Sequence, residues 1–140
     1  MTSSTSFRIS ENAKKILAER AAAEGTSATA LIDRLIIEGV TQLDYPGVIF
    51  RGAAHDRRAA LAAGPDVWEI VSRLQELDGA QEQRVAVLAE ESGLHPRLIR
   101  LALDYAAERP LEIRERIKRH REAIERSQAA VSQREKLLAA

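Results

Sequence analysis

Serine and arginine alternate near the amino terminus: Ser4, Ser6 and Arg8 stand two apart, with Thr5, Phe7 and Ile9 in phase between and after them. An extended chain sends successive side chains to opposite faces. The spacing therefore predicts a short strand with two hydroxyls and a guanidinium on one face, and Phe7 and Ile9 on the other. Such a polar row has a definite chemistry available to it. A guanidinium fork matches the two acceptors on a guanine edge, worth about 1–3 kcal/mol of discrimination, and serine hydroxyls contact bases less selectively. The competing reading is a solvated strand edge whose polar side chains meet only water.

A lone strand has unpaired backbone groups and needs a partner. No second strand with the same alternation follows nearby. The simplest partner is the same strand of a second copy, in an antiparallel two-stranded ribbon, a shape that fits the DNA major groove. Phe7 and Ile9 then face inward onto helices of both copies. Ser10 is placed to cap the first of these, which is expected over about Glu11–Glu24, with Ala13, Ile16, Leu17 and Ala21 on one face. Gly25 stops it as a left-handed cap. Thr26 and Ser27 offer the next cap, and a second helix is expected to about Gly39. Its apolar positions Ala28, Leu31, Ile32, Leu35 and Ile36 form a wide stripe suited to a shared dimer core. The expected dimer core is Phe7, Ile9, Leu31, Ile32 and Leu35. Residues 1–4 read as a loose arm that can order on a phosphate.

The run from Phe7 to Val40 resembles a ribbon-helix-helix module, the fold of the Arc and MetJ repressors and of many antitoxins. The resemblance rests on the strand ending in Arg8-Ile9-Ser10, the Ile16/Leu17/Ala21 stripe, the Gly25-Thr26-Ser27 turn and the Leu31-Ile32 pair. It covers roughly the first third of the chain. It implies a homodimer whose ribbon reads bases through Ser4, Ser6 and Arg8. It also implies a DNA phosphate at the amino end of the second helix, at Thr26 and Ser27. The physics agrees, because free N–H groups and the positive helix end attract anions; the plainer role of Ser27 is an ordinary cap. The chain departs from the pattern at Thr5, where family members usually carry a larger apolar residue.

Asp44-Tyr45-Pro46-Gly47 reads as a turn and marks a domain boundary. A small hairpin is expected next, with strands at Val48–Phe50 and Arg57–Leu61. Asp66 caps a helix whose apolar face is Val67, Trp68, Ile70, Val71 and Leu74. Two further helices, about Gln81–Glu91 and Pro96–Glu108, flank the break at Ser92–Pro96. This region resembles a helix-turn-helix, with Leu88, Leu94, Ile99 and Leu103 as its core. More broadly, Tyr45–Arg116 resembles a small uncharacterised, antitoxin-associated family. The matching features are Tyr45-Pro46-Gly47, Val67-Trp68-Glu69-Ile70-Val71, the run Ile99–Tyr105 and Glu112-Ile113. The Gly-Thr-Arg motif usual in that family's hairpin is missing here.

By the helix-turn-helix resemblance, Arg97 and Arg100 are candidates for a second DNA contact, and Arg57 and Arg58 for a wing on the phosphates. The alternative is a structural three-helix unit with surface arginines, since such units often bind only protein. The last helix, from Pro110, carries Ile117, Ile124, Val131 and Leu138 seven apart. The complementary positions are mostly polar, so this is one apolar row, suited to docking or to a weak coiled coil. Five Lys or Arg lie within Arg114–Arg121 against one Glu, a solvated face or a contact for an acidic partner or DNA.

Composition narrows the classes. The 140 residues carry 21 Lys and Arg against 21 Asp and Glu, so any nucleic-acid contact rests on local groups rather than on net charge. Aromatics at 4% and abundant Ala and Leu favour helix. No cysteine is present, which removes disulfides and thiolate metal sites and fits a reducing cytosol. No apolar run suggests a membrane span or a signal peptide. His55, His95 and His120 lack ligand spacing, and no nucleophile motif or phosphate loop occurs. The expected protein is therefore mainly α and cytoplasmic or nucleoid-associated, and neither an enzyme nor a holder of metal or cofactor. Residues 1–43 form a ribbon-helix-helix, 44–110 a hairpin with a helix-turn-helix-like domain, and 111–140 a terminal helix. The expected function is a homodimeric DNA-binding regulator, a repressor. One alternative is an antitoxin that neutralises a toxin nuclease through its terminal helix while regulating its own operon; another is a DNA-organising or partition protein.

Overall fold

The structure, a computed structural model, describes residues 3–139. Met1 and Thr2, half of the expected arm, lie outside the described residues, as does Ala140. The chain is mainly helical: α1 (Glu11–Glu24), α2 (Ala28–Asp44), a hairpin of β1 (Val48–Arg51) and β2 (Arg58–Leu61), then α3 (Val67–Glu76), α4 (Gln81–Ser92), α5 (Pro96–Glu108) and the long α6 (Pro110–Ala139).

Local chemistry explains the element ends. The Ala13 N–H donates to Ser10 Oγ (3.1 Å), capping α1. Gly25 closes it at φ 65°, with its own N–H on Ala22 O and the Thr26 N–H on Ala21 O. Ser27 Oγ accepts from Ala30 N–H (3.0 Å) and starts α2. Expected to stop near Gly39, this helix runs on to Asp44. Gly39 keeps a helical backbone rather than the positive φ of a terminating glycine, at a local cost of about 1 kcal/mol. Buried residues on either side of Gly39 anchor the continuation, Glu38 paired with Arg57 and Thr41 donating to Ile37 O (2.7 Å). Tyr45 N–H then closes the end on Thr41 O (2.9 Å).

The two strands pair antiparallel, Val48 opposite Leu61 and Arg51 opposite Arg58. Their loop needs glycine at position 52: φ is 107°, and a Cβ there would meet Asp56 O at 2.2 Å. One apolar core joins the hairpin, α3, α4, α5 and the first two turns of α6. Val48, Leu61, Val67, Ile70, Val85, Ile99, Tyr105 and Ile113 are all buried within it. Each apolar side chain removed from water here contributes about 1.5–3 kcal/mol. Of the four core positions expected for the α4–α5 pair, Leu88 and Ile99 are buried, while Leu94 and Leu103 are half-buried at the edge of the core. Gly93 turns between them at φ 74°, and Pro96 opens α5.

The polar seams of this unit are also built in. Arg109 lies over the rings of Tyr45 and Tyr105, 5.2 and 4.4 Å from their centroids. Burial first, then the Glu112 carboxylate that accepts its hydroxyl (3.0 Å), holds the Tyr105 phenol neutral well above its ordinary range. Arg116 on α6 donates to Asp56 in the hairpin loop (2.5 Å). Trp68, expected in the core, sits half-buried at its edge. Its indole N–H reaches Asp66 (3.1 Å), and its ring lies 4.9 Å from that of His120. Beyond Ile117, no described residue of α6 is buried.

Candidate nucleic-acid interface

The α1–α2 pair differs in kind from the rest of the chain. Within it only Ala21 and Leu31 are buried apolar residues, Leu31 to 1% exposure. Two such side chains are a thin core for two helices, and short helices draw most of their stability from packing. Meanwhile Ile16, Leu35, Ile36, Ile37, Val40 and Leu43 are exposed, Leu43 to 78%. Together with Phe7 at 81%, they hold most of the large exposed apolar side chains of the whole molecule outside α6. Exposed apolar side chains in this number are a common feature of interaction surfaces.

Residues 3–10 have no secondary structure in one copy of the chain. The strand expected there is not formed, and the partner expected for it was a second copy of the chain. Ser4, Ser6 and Arg8 are exposed, and Ile9 is half-buried. Of the expected dimer core, Leu31 is already covered within one chain and Ile32 half-covered, whereas Phe7 and Leu35 are open. Sequence reasoning missed Val40 and Leu43 because it ended the helix early, and Ile37 because it lies off the Leu31/Leu35 stripe. A signal was present, since Ile36, Val40 and Leu43 continue the helical spacing through Gly39.

At the amino end of α2, Thr26 is half-buried and Ser27 exposed. The Ser27 hydroxyl is engaged as a cap. The Ala28 and Thr29 N–H groups, in the first turn of a helix, have no intrahelical acceptor and point toward an exposed surface. That end can accept an anion by backbone alone.

The four candidates for a second contact divide unequally. Arg57 forks onto Glu38, Nε to Oε2 at 2.9 Å and Nη2 to Oε1 at 2.6 Å. The same Glu38 faces Arg34, which donates to Glu24 (3.0 Å). This chain of ion pairs ties the hairpin loop to α2 and α2 to α1, and sequence spacing held no sign of it. Arg58 is held by Asp66 (2.6 Å) and Asp56 (3.0 Å). Arg100 pairs with Glu82 (2.7 Å) and depresses that carboxyl below its ordinary value. Arg97 is exposed; its backbone N–H donates to His95 Nδ1, and its side chain has no ion-pair partner among the described residues. Arg57, Arg58 and Arg100 would have to leave carboxylates to meet a phosphate; Arg97 would not.

Comparisons with protein-family models, with curated proteins and with solved structures find no match.

Among the described residues, no group of three or more His, Asp or Glu is placed to hold a metal ion. No described helix is long and apolar enough to cross a membrane. The arrangement offers instead an open apolar face on α1 and α2, an exposed polar row with Arg8 ahead of it, and an open helix end behind.

Proposed function

We propose that this protein is a homodimeric, sequence-specific DNA-binding regulator of the ribbon-helix-helix kind, acting as a repressor. One observation carries the reading. The large apolar side chains left in water on the first 43 residues surround a helix pair with almost no core of its own. A second copy supplies what is missing: it covers Phe7, Leu35, Ile36 and Val40, and it pairs with the extended segment. Pairing puts Ser4, Ser6 and Arg8 from both copies on the outer face of one ribbon, in reach of base edges. The amino end of α2 then holds the phosphate backbone through Ala28 and Thr29 N–H, with Thr26 and Ser27 beside them. The α4–α5 pair is a helix-turn-helix-like unit in which Arg97, of the four candidate arginines the one without a carboxylate partner among the described residues, is available to extend the footprint.

The test uses the full chain and fluorescence anisotropy, on its own upstream DNA and on scrambled DNA, at two salt concentrations. Arg8→Ala is expected to weaken the upstream complex about tenfold more than the scrambled one, the equivalent of one lost base contact. An equal loss on both, or none, overturns base reading by the ribbon.

A second reading is favoured by α6. From residue 123 onward the helix has no buried residue, yet Ile124, Val131 and Leu138 keep one apolar row. An antitoxin would lay that row in a groove of a toxin nuclease. Deleting residues 123–140 would then abolish co-purification with the product of an adjacent reading frame while DNA binding persists.

A further inference from the structure

Three depressions on the second half of the chain share walls. The first, of ≈ 320 Å³, is floored by Val71, Leu74 and Leu103. The second, of ≈ 230 Å³, shares Val71 and Leu103 and continues over Pro110 and Ile113. The third, of ≈ 380 Å³, shares Gln75 and Arg114 and runs over Ile117 toward Glu125. Together they make one groove walled by α3, α4, α5 and α6, with an apolar floor from Leu74 and Val71 to Ile117 and polar walls beyond it. Along α6 it extends from Pro110 to Glu125, about 22 Å at helical rise.

The rim is cationic. Arg84 stands at one end, and Arg114, Lys118 and Arg121 stand along α6. None of the four forms an ion pair among the described residues. Arg84 donates to the Gly79 and Leu74 carbonyls, and Arg121 reaches only the Gln75 amide at 3.4 Å. Elsewhere most arginines of this unit are held by carboxylates, Arg97 excepted: Arg51 and Arg58 by Asp66, Arg57 by Glu38, Arg73 by Glu91, Arg100 by Glu82, Arg116 by Asp56. Only Glu122 and Glu125, at the far end, offset the groove's four cations.

We propose that this groove docks an acidic amphipathic helix of a partner protein. The apolar floor takes leucine-like side chains at helical spacing, and the rim takes carboxylates on either side of them. The occupant is a helix because the walls are helices whose backbone groups are already bonded. They offer no sheet edge to an extended peptide, whereas a helix satisfies its own backbone. About 15 residues match the groove's length. A nucleic-acid backbone fits less well, since phosphates have no use for the floor and meet Glu122 and Glu125. The proposal is independent of the ribbon: it uses other residues and a different class of partner.

The probe is a displayed library of randomised 16-residue peptides, selected on the full chain, with the best binder then synthesised and labelled. Enrichment of sequences combining Asp or Glu with apolar residues three and four apart is expected. The triple variant R114E/K118E/R121E changes only exposed side chains. It should weaken that peptide at least tenfold while keeping the parent's circular-dichroism melt. Gln75→Trp, which fills the groove from an exposed position, should do the same by a different route. No enrichment, enrichment of neutral or basic peptides, or binding within twofold of the parent in either variant overturns the proposal. So does displacement of the peptide by a scrambled 20-base-pair duplex that itself loses affinity for the triple variant, which would make the groove a nucleic-acid face.

Discussion

Glu38 is the residue on which the two halves of the chain meet. It is 8% exposed, sits on α2, and accepts two hydrogen bonds from Arg57 of the hairpin loop. Removing it leaves Arg57 half-desolvated and unpaired, so Glu38→Ala should destabilise the chain by about 1–3 kcal/mol. A double-mutant cycle with Arg57→Ala, read by thermal unfolding, should show strong coupling; additive effects would mean that the pair is dispensable. Asp56 makes a different prediction. The Arg116 hydrogen bond holds its carboxyl below the ordinary 3.8, against partial desolvation and with help from the Arg116 and Arg58 charges. Arg100 and Arg73 likewise depress Glu82 and Glu91 below 4.5. A depressed carboxyl stabilises the fold fully above its unfolded value and loses that contribution as pH falls through its folded one. The melting temperature should therefore fall below about pH 4.5, and Asp56→Asn should flatten part of that fall.

Among the elements, α2 leaves Leu35, Ile36, Ile37, Val40 and Leu43 exposed within its own chain. If a second copy covers it, Val40→Asp places a charge in an apolar contact and should convert dimer to monomer in sedimentation at micromolar concentration. An unchanged dimer would place the interface elsewhere. Gly39 lies mid-helix with nothing within 4 Å of where its Cβ would stand. In a single chain, Gly39→Ala should then stabilise by about 0.5–1 kcal/mol through helix propensity. A loss of stability that disappears on dilution would show instead that a partner backbone packs close against this position.

At the scale of the whole molecule, α6 is one helix of two parts, one packed on the core and one exposed. Ile113, Ile117, Glu112 and Arg116 tie its first turns to the core, while residues 123–139 have no buried side chain. A chain ending after Glu122 should melt within about 0.5 kcal/mol of the full one, since surface segments contribute little. A chain ending after Pro110 loses two buried isoleucines and should lose several kcal/mol, each being worth about 2–5 when truncated to alanine. Thermal unfolding of the two truncations separates the structural half of α6 from the half that is free to dock.

Much of this was legible in the sequence alone. Helices α1 and α5 fall where Ser10, Gly25, Pro96 and the apolar spacing put them, because caps and breakers act on their own neighbours. The hairpin followed from β-type residues between glycine and proline turns. The strand expected from the alternation of Ser4, Ser6 and Arg8 is not formed in the single chain. Tertiary structure decided the rest. It carried α2 past Gly39, because the Glu38–Arg57 ion pair to the hairpin loop and the buried, hydrogen-bonded Thr41 outweigh one glycine's propensity. It engaged Arg57, Arg58 and Arg100 with carboxylates 8 to 19 residues away and left Arg97 free, which no spacing rule could foresee. It also joined α3, α4, α5 and α6 around one groove. Local energies of a few tenths to one kcal/mol set where elements begin and end; which charges remain unpaired depends on contacts between elements distant in sequence, and only the assembled chain contains them.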